Sequence, residues 1–368
     1  MATSRIERPF RDRERAAALA REIGRVAGGI GREVRIMEVC GSHTVALRQH
    51  GIRSLLPANI RFVSGPGCPV CVTPSGYVAN ALRLIEEKGA TVATFGDMVK
   101  VPDPSGRSLS AHQGSGRLRI VYSPRELPDL ARSIEGPLVF LGIGFETTAP
   151  AIASAFLRAR DEGVGNLFLY AAFKTVPTAL RALVSDPECS IDAFLLPGHV
   201  SVVIGLEPYR FLAEEFGIPG VVGGFEPIDM LMAILRIVIL VAEGRAGIEN
   251  AYGRAVRDAG NEAARLTMDR LLEPAPALWR GLGLLEGSGL GLKVEARSMD
   301  AEAIFGLDAL VDLDPPGCRC AQVIQGKAEP DGCPLFGRSC TPDRPVGPCM
   351  VSSEGSCAAH FRYGGAEI

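Results

Sequence analysis

Between residues 34 and 245, short runs rich in Val, Ile, Leu and Phe alternate with amphipathic stretches of helical period, and this alternation restricts the fold more than any other feature. Strand–helix alternation is the pattern of a parallel sheet whose strands are joined by crossover helices. The expected strands are 34–39, 60–64, 91–95, 119–122, 138–141, 167–171, 193–196 and 220–222, and the expected helices include 74–88, 149–161, 177–184, 207–216 and 227–243. Several of those helices carry Pro in the first turn, where its missing N–H is harmless. A break is expected at the SIEGP segment, residues 133–137. It would divide the chain into an N-terminal helix (1–30) packing on the rest, an α/β domain (31–133), a second α/β domain (134–245) and a helical, then loop-rich region (246–368). The expected fold class is α/β, with two similar parallel-sheet domains facing across a cleft.

At 368 residues the chain is long enough to bury a sizeable core, and with 47% hydrophobic and 22% charged residues its composition is globular rather than disordered. The net charge of −3 excludes a general nucleic-acid-binding surface, which needs a basic face to displace counterions. The first 35 residues lean basic, with nine Arg against five acids, but the mixed signs read as a solvated helix surface. The N-terminal residues have no apolar core of the kind a secretory signal carries. The most apolar stretch, 228–242, is too short to span a bilayer and contains Asp229 and Arg236. The expectation is a cytoplasmic protein whose ten cysteines are mostly reduced, so clustered cysteines would be metal ligands or redox groups.

The reactive residues fall after strands. CGSHT (40–44), GPGCPVC (65–71) and FGDMVKVP (95–102) follow three of them, and GIGFETTAP (142–150), LPGHVS (196–201) and GGFEP (223–227) follow three more. Open parallel sheets bind ligands beyond the carboxyl ends of their strands, so these loops would line a common cleft. Cys68 and Cys71 are close enough in sequence to form a disulfide or share a metal, and the turn before a helix favours a thiolate. Cys40 and His43 could act as nucleophile and base, or as thiolate and imidazole ligands. Three thiols with few carboxylates suit iron, Cu(I) or zinc rather than magnesium. His199, Glu146, Glu226 and Asp97 sit in Gly-rich loops after apolar strands, although Glu146 or Glu226 could simply cap the following helix. His50 and His112 are given no role, and Cys189 reads as an inert thiol. The GxGxxT-like stretch at 142–147 lacks the lysine and third glycine of a phosphate loop.

The C-terminal cysteines form the most specific pattern, Cys320-x12-Cys333-x6-Cys340-x8-Cys349-x7-Cys357, with Cys318 just upstream. Four-cysteine ligation serves both zinc and [4Fe–4S] clusters. Structural zinc sites usually offer tight paired knuckles, and single cysteines spread through Gly/Pro loops look more like a cubane cluster held by four of Cys320, Cys333, Cys340, Cys349 and Cys357. A segment with so little apolar content usually needs a metal to order it. Its expected place in the fold is a C-terminal iron–sulfur domain.

CGSHT, GPGCPVC, FGDMVKVP, GFETTAP, LPGHVS, GGFEP and the ending CPLFGRSCTPDRPVGPCMVSSEGSCAAHFRYG closely resemble the HypD family of hydrogenase maturation proteins, from about residue 31 to 364. One small departure is His360, where the family ending carries Tyr. The resemblance implies an accessory protein that assembles the Fe(CN)₂CO unit of [NiFe] hydrogenases, with a [4Fe–4S] cluster as its own cofactor. It implies a small chaperone partner of the HypC type and a cyanide-donating partner of the HypE type. It places Cys40 as the main iron ligand, Cys68 and Cys71 as the redox-active pair beside it, and His43 and His199 along the cleft. Two alternatives from other classes are a stand-alone iron–sulfur disulfide reductase and a zinc-stabilised binding scaffold. No CxxxCxxC triad is present, which disfavours radical SAM chemistry.

Overall fold

The computed structural model describes residues 8–364. All eight expected strands form: β1 Val34–Glu38, β2 Ile60–Ser64, β3 Thr91–Thr94, β4 Leu118–Ile120, β5 Leu138–Gly144, β6 Leu167–Lys174, β7 Ala193–Pro197 and β8 Gly220–Gly223. Three more follow, β9 Ile248–Asn250, β10 Leu272–Trp279 and β11 Gly283–Leu292. The expected helices also form, as Ser75–Glu86, Ala149–Asp161, Val176–Val184 and Pro227–Ala242, with 207–216 split into a 3₁₀ turn and the short helix Arg210–Glu214. Among the described residues no helix is long and apolar enough to cross a membrane.

The strands build two sheets, but not the two expected from a division at residue 133. The first is wholly parallel, in the order β2-β1-β7-β8-β9; the second runs β10-β11-β6-β5-β3-β4 and is parallel except around β11. Each sheet therefore draws strands from both halves of the α/β region, and the chain passes between sheets after β2, β6 and β9. GFETTAP accordingly belongs with FGDMVKVP on the second sheet, while CGSHT, CPVC, LPGHVS and GGFEP share the first. Apolar periodicity reports that a strand is buried on both faces; it does not say which neighbour the strand takes.

The second correction lies after residue 245, where the expected helical region holds β9, the helix Glu262–Asp269 and then the hairpin β10–β11. Pro274 and Pro276 argue against a central strand, yet β10 lies at the sheet edge, with its register shifting between Ala275 and Ala277. An edge strand tolerates residues that cannot donate to the ladder.

Alternation along the first sheet explains its burial. Val34 and Ile36 of β1 and Ala193 and Leu195 of β7 face a core shared with helix Pro227–Ala242, whereas Met37, Phe194 and Leu196 face the core reaching the second sheet. Helix Arg13–Gly28 packs on Pro227–Ala242 and is capped by Asp12, whose side chain accepts the Arg15 N–H at 2.9 Å. The C-terminal residues form short helices, Cys320–Ile324, Pro348–Val351 and Ser356–Tyr363. Ser356–Tyr363 packs on helix Gly41–Gln49, and Pro348–Val351 packs on helix Pro69–Val72. The cysteine-rich region is thus laid directly over the ends of β1 and β2.

Candidate functional site

β1 ends one residue short of Val39, and Cys40 stands as the extended N-cap of helix Gly41–Gln49 (φ −148°, ψ 124°). The GPGCPVC loop presses against it: the Gly41 N–H donates to the Gly67 carbonyl at 2.9 Å. A Cβ at Gly67 would lie 2.3 Å from the Cys40 nitrogen, so no other residue allows this approach. Cys68 caps helix Pro69–Val72, its sulfur accepting the Cys71 N–H at 3.3 Å, and forms a disulfide with Cys71 across a Cα separation of 5.3 Å. The Cys71 sulfur lies 4.0 Å from the carbonyl oxygen of Pro348, the residue before Cys349. Burial pushes the Cys40 thiol up to about 12, with the Glu354 carboxylate acting in the same direction and the His43 and Ser42 amides opposing. Cys40 therefore keeps its proton at neutral pH.

His43 is fully buried, and its Nε2 donates to the Gly223 and Gly224 carbonyls, each at 3.2 Å. Burial lowers its pKa to about 4, so the ring is neutral and Nδ1 is a bare acceptor, without a hydrogen-bond partner among the described residues. Phe225 stacks on both histidines, 4.7 Å from the His43 ring centroid and 4.0 Å from that of His199. Desolvation lowers the His199 pKa against the pull of Glu354.

Glu354, which the sequence reading did not single out, ties these parts together. It accepts a hydrogen bond from Ser42 Oγ at 2.7 Å, and its charge is felt by both Cys40 and His199. Its N–H donates to Ser352 Oγ at 3.3 Å, and that hydroxyl donates to Asp97 Oδ2 at 3.2 Å. An acid in a Ser/Gly turn between Cys349 and Cys357 was the available signal. Glu226 lies elsewhere: Arg11 holds its carboxylate at 2.5 and 3.0 Å, keeping its pKa low, and it does not cap the helix that follows. Glu146 stands after β5, a strand of the second sheet. One of its oxygens accepts the Val176 N–H at 3.0 Å, the other has no partner among the described residues, and burial raises its pKa to about 7.

Five C-terminal thiols converge. Those of Cys320 and Cys349 donate toward Cys357, which favours its thiolate, while Cys318 and Cys340 lie within electrostatic reach of Cys320. A Cβ at Gly347 would stand 2.5 Å from the Cys320 sulfur and 2.8 Å from that of Cys318, so this glycine leaves room for the group. Cys333 is not brought in; among the described residues its thiol meets the Gly317 carbonyl at 3.8 Å as its polar partner. The converging set thus contains Cys318 in place of Cys333, a substitution that spacing could not reveal. Among the described residues no three His, Cys, Asp or Glu side chains are arranged to hold a single metal ion.

The family model described as hydrogenase formation hypA family, HypD, matches residues 14–364. The chain is similar to the hydrogenase maturation factor HypD of Rhodobacter capsulatus, 42% identical over 97% of both chains. It is also similar to that of Escherichia coli K12, 42% identical over 90% of each, and to that of Rhizobium leguminosarum, 41% identical over 96% of this chain and 94% of the relative. A match of this length and identity places the chain in the HypD family of hydrogenase maturation factors.

Proposed function

We propose that this chain is a scaffold on which the Fe(CN)₂CO unit of [NiFe] hydrogenase is assembled. It would hold iron as cargo together with a small chaperone of the HypC type and receive cyanide from a HypE-type partner. The observation that carries this reading is one run of contacts. Cys40 lies against the CPVC loop through Gly67, and CPVC lies against the Cys349 segment through Pro348.

Cys40 exchanges its proton for iron, and the surrounding amides of Ser42 and His43 already point at its sulfur. His43, held neutral, offers a second donor atom without adding charge. Release of cyanide from a partner's thiocyanate consumes two electrons: R–S–CN and two thiols give R–SH, CN⁻, one disulfide and a proton. Cys68 and Cys71 supply that pair, and their disulfide is the spent state. The C-terminal thiols suit a [4Fe–4S] cluster by donor type, with no carboxylate among them and an N–H aimed at the Cys340 sulfur (Val346, 3.3 Å). Four of Cys318, Cys320, Cys340, Cys349 and Cys357 would hold it. Such a cluster supplies single electrons, which would restore the dithiol.

Infrared spectroscopy of the chain purified anaerobically with its chaperone tests the reading. Bands of metal-bound cyanide and CO are expected, and Cys40→Ala should abolish them. A brown protein with bound chaperone and no such bands would point instead to a stand-alone disulfide reductase.

A further inference from the structure

The chain has 39 basic residues, of which only five are lysines, at 88, 100, 174, 293 and 327. Lys174 is the buried one, 2% exposed, at the last position of β6. Among the described residues its side chain makes no hydrogen bond. Its neighbours are the Trp279 ring, whose centroid is 5.4 Å away, and the Asp312 carboxylate, which is already engaged by Arg280 at 3.4 Å. Lys174 also lines a cavity of about 560 Å³ between β6, the hairpin β10–β11 and residues 300–310. The walls are apolar, with Leu278, Leu290 and Leu310 among them, and Asp300 and Glu302 add carboxylates.

We propose that Lys174 is an amine nucleophile at the floor of a binding cavity for small, uncharged carbonyl compounds. Electrostatics select the ligand class. Asp300, Glu302 and Asp312 disfavour an anion, the apolar walls and the Lys174 head disfavour a cation, and a neutral aldehyde or ketone meets neither objection. The choice of lysine is informative in a chain that otherwise uses arginine: a guanidinium stays charged in any environment, whereas an amine can shed its proton when desolvated. Burial lowers the Lys174 pKa to about 7, opposed by Asp312, so about half the side chain is neutral at that pH, against roughly one part in 2,500 for an ordinary lysine. The amine adds to the carbonyl carbon, the C=O bond is replaced by C=N, and the oxygen leaves as water with no change in electron count.

Reductive trapping is the test. The full chain is treated at pH 7 with propanal and cyanoborohydride, and the adducts are mapped by peptide mass spectrometry. With four other lysines as internal references, Lys174 should be propylated on the order of tenfold faster than exposed Lys88 and Lys100, after allowing for the lower nucleophilicity of a weaker base. In Lys174→Met the fast adduct should vanish while the other four are modified as before. Modification of Lys174 at the same rate as Lys88, or none while Lys88 and Lys100 react, would overturn the proposal. Because the readout is labelling of the chain alone, it is independent of the assembly function proposed above.

Discussion

Glu146→Gln isolates the cost of a buried carboxylate. In the folded chain this carboxyl titrates near 7, against an ordinary value of 4.5, because it is removed from water with only one oxygen hydrogen-bonded. At pH 4 both folded and unfolded chains carry it mainly protonated, and it costs little. As the pH rises past 4.5 the unfolded chain ionises first and folding is progressively penalised, until the folded group ionises too near 7. Integrating between those two values, the penalty grows from about 1 kcal/mol at pH 5 to about 3 kcal/mol at pH 8. Gln preserves the acceptor for the Val176 N–H and cannot ionise. Any cost of its buried NH₂ is the same at both pH values. The stability difference between variant and wild type should therefore move by about 2.5 kcal/mol in favour of Gln from pH 5 to pH 8. Trp279, the single tryptophan, stacks on neighbouring Phe145 at 6.2 Å and reports urea unfolding of this region by fluorescence. Equal pH dependence in the two proteins would refute the argument; a shift of opposite sign would mean that the carboxylate is paired.

Two further perturbations address the thiol site. Gly67→Ala forces a Cβ to within 2.3 Å of the Cys40 nitrogen, so the CPVC loop must withdraw. A loss of about 1–3 kcal/mol in thermal or urea unfolding is expected, together with loss of the infrared bands, and an unchanged melt would mean that the loops are not in contact. Glu354→Gln removes a charge that holds the Cys40 thiol up, so alkylation of Cys40 by iodoacetamide at a given pH should become faster. A slower reaction would contradict the assigned electrostatics.

Strand positions were readable because apolar, β-branched runs have a short period and sharp flanks, and all eight expected strands form. Their distribution between sheets was not. β1 and β7 pair across a long sequence interval, and nothing local to Met37 or Phe194 announces the other. The hairpin β10–β11 lies in a region expected to be helical, and its strand β10 carries Pro274 and Pro276, which an edge position tolerates. At the site, CGSHT and CPVC announced themselves by residue type, and the structure sets them against each other through Gly67. Glu226 and Glu146 shared the same loop signature but diverged in three dimensions, one taken by Arg11 and the other buried alone. Cys318 and Cys333 could not be distinguished by spacing, since either could reach the group, and the close approach of Gly347 to Cys318 is visible only once the chain is folded.

The interleaving of the two sheets sets an order of events during synthesis. When β1 and β2 leave the ribosome they form a two-stranded fragment whose next neighbour, β7, enters only after β3 to β6 have been made. Contacts between such distant segments are slow to form, and an incomplete sheet exposes both apolar faces. Cys40, Cys68 and Cys71 are therefore made early, yet His199 and Phe225 follow only past the midpoint of translation and the Ser352–Glu354 turn only near its end. A nascent chain cannot present the finished thiol site, and stalled or truncated products would present bare thiols without the residues that shield them. Under the proposed function, iron loading would belong to the completed chain.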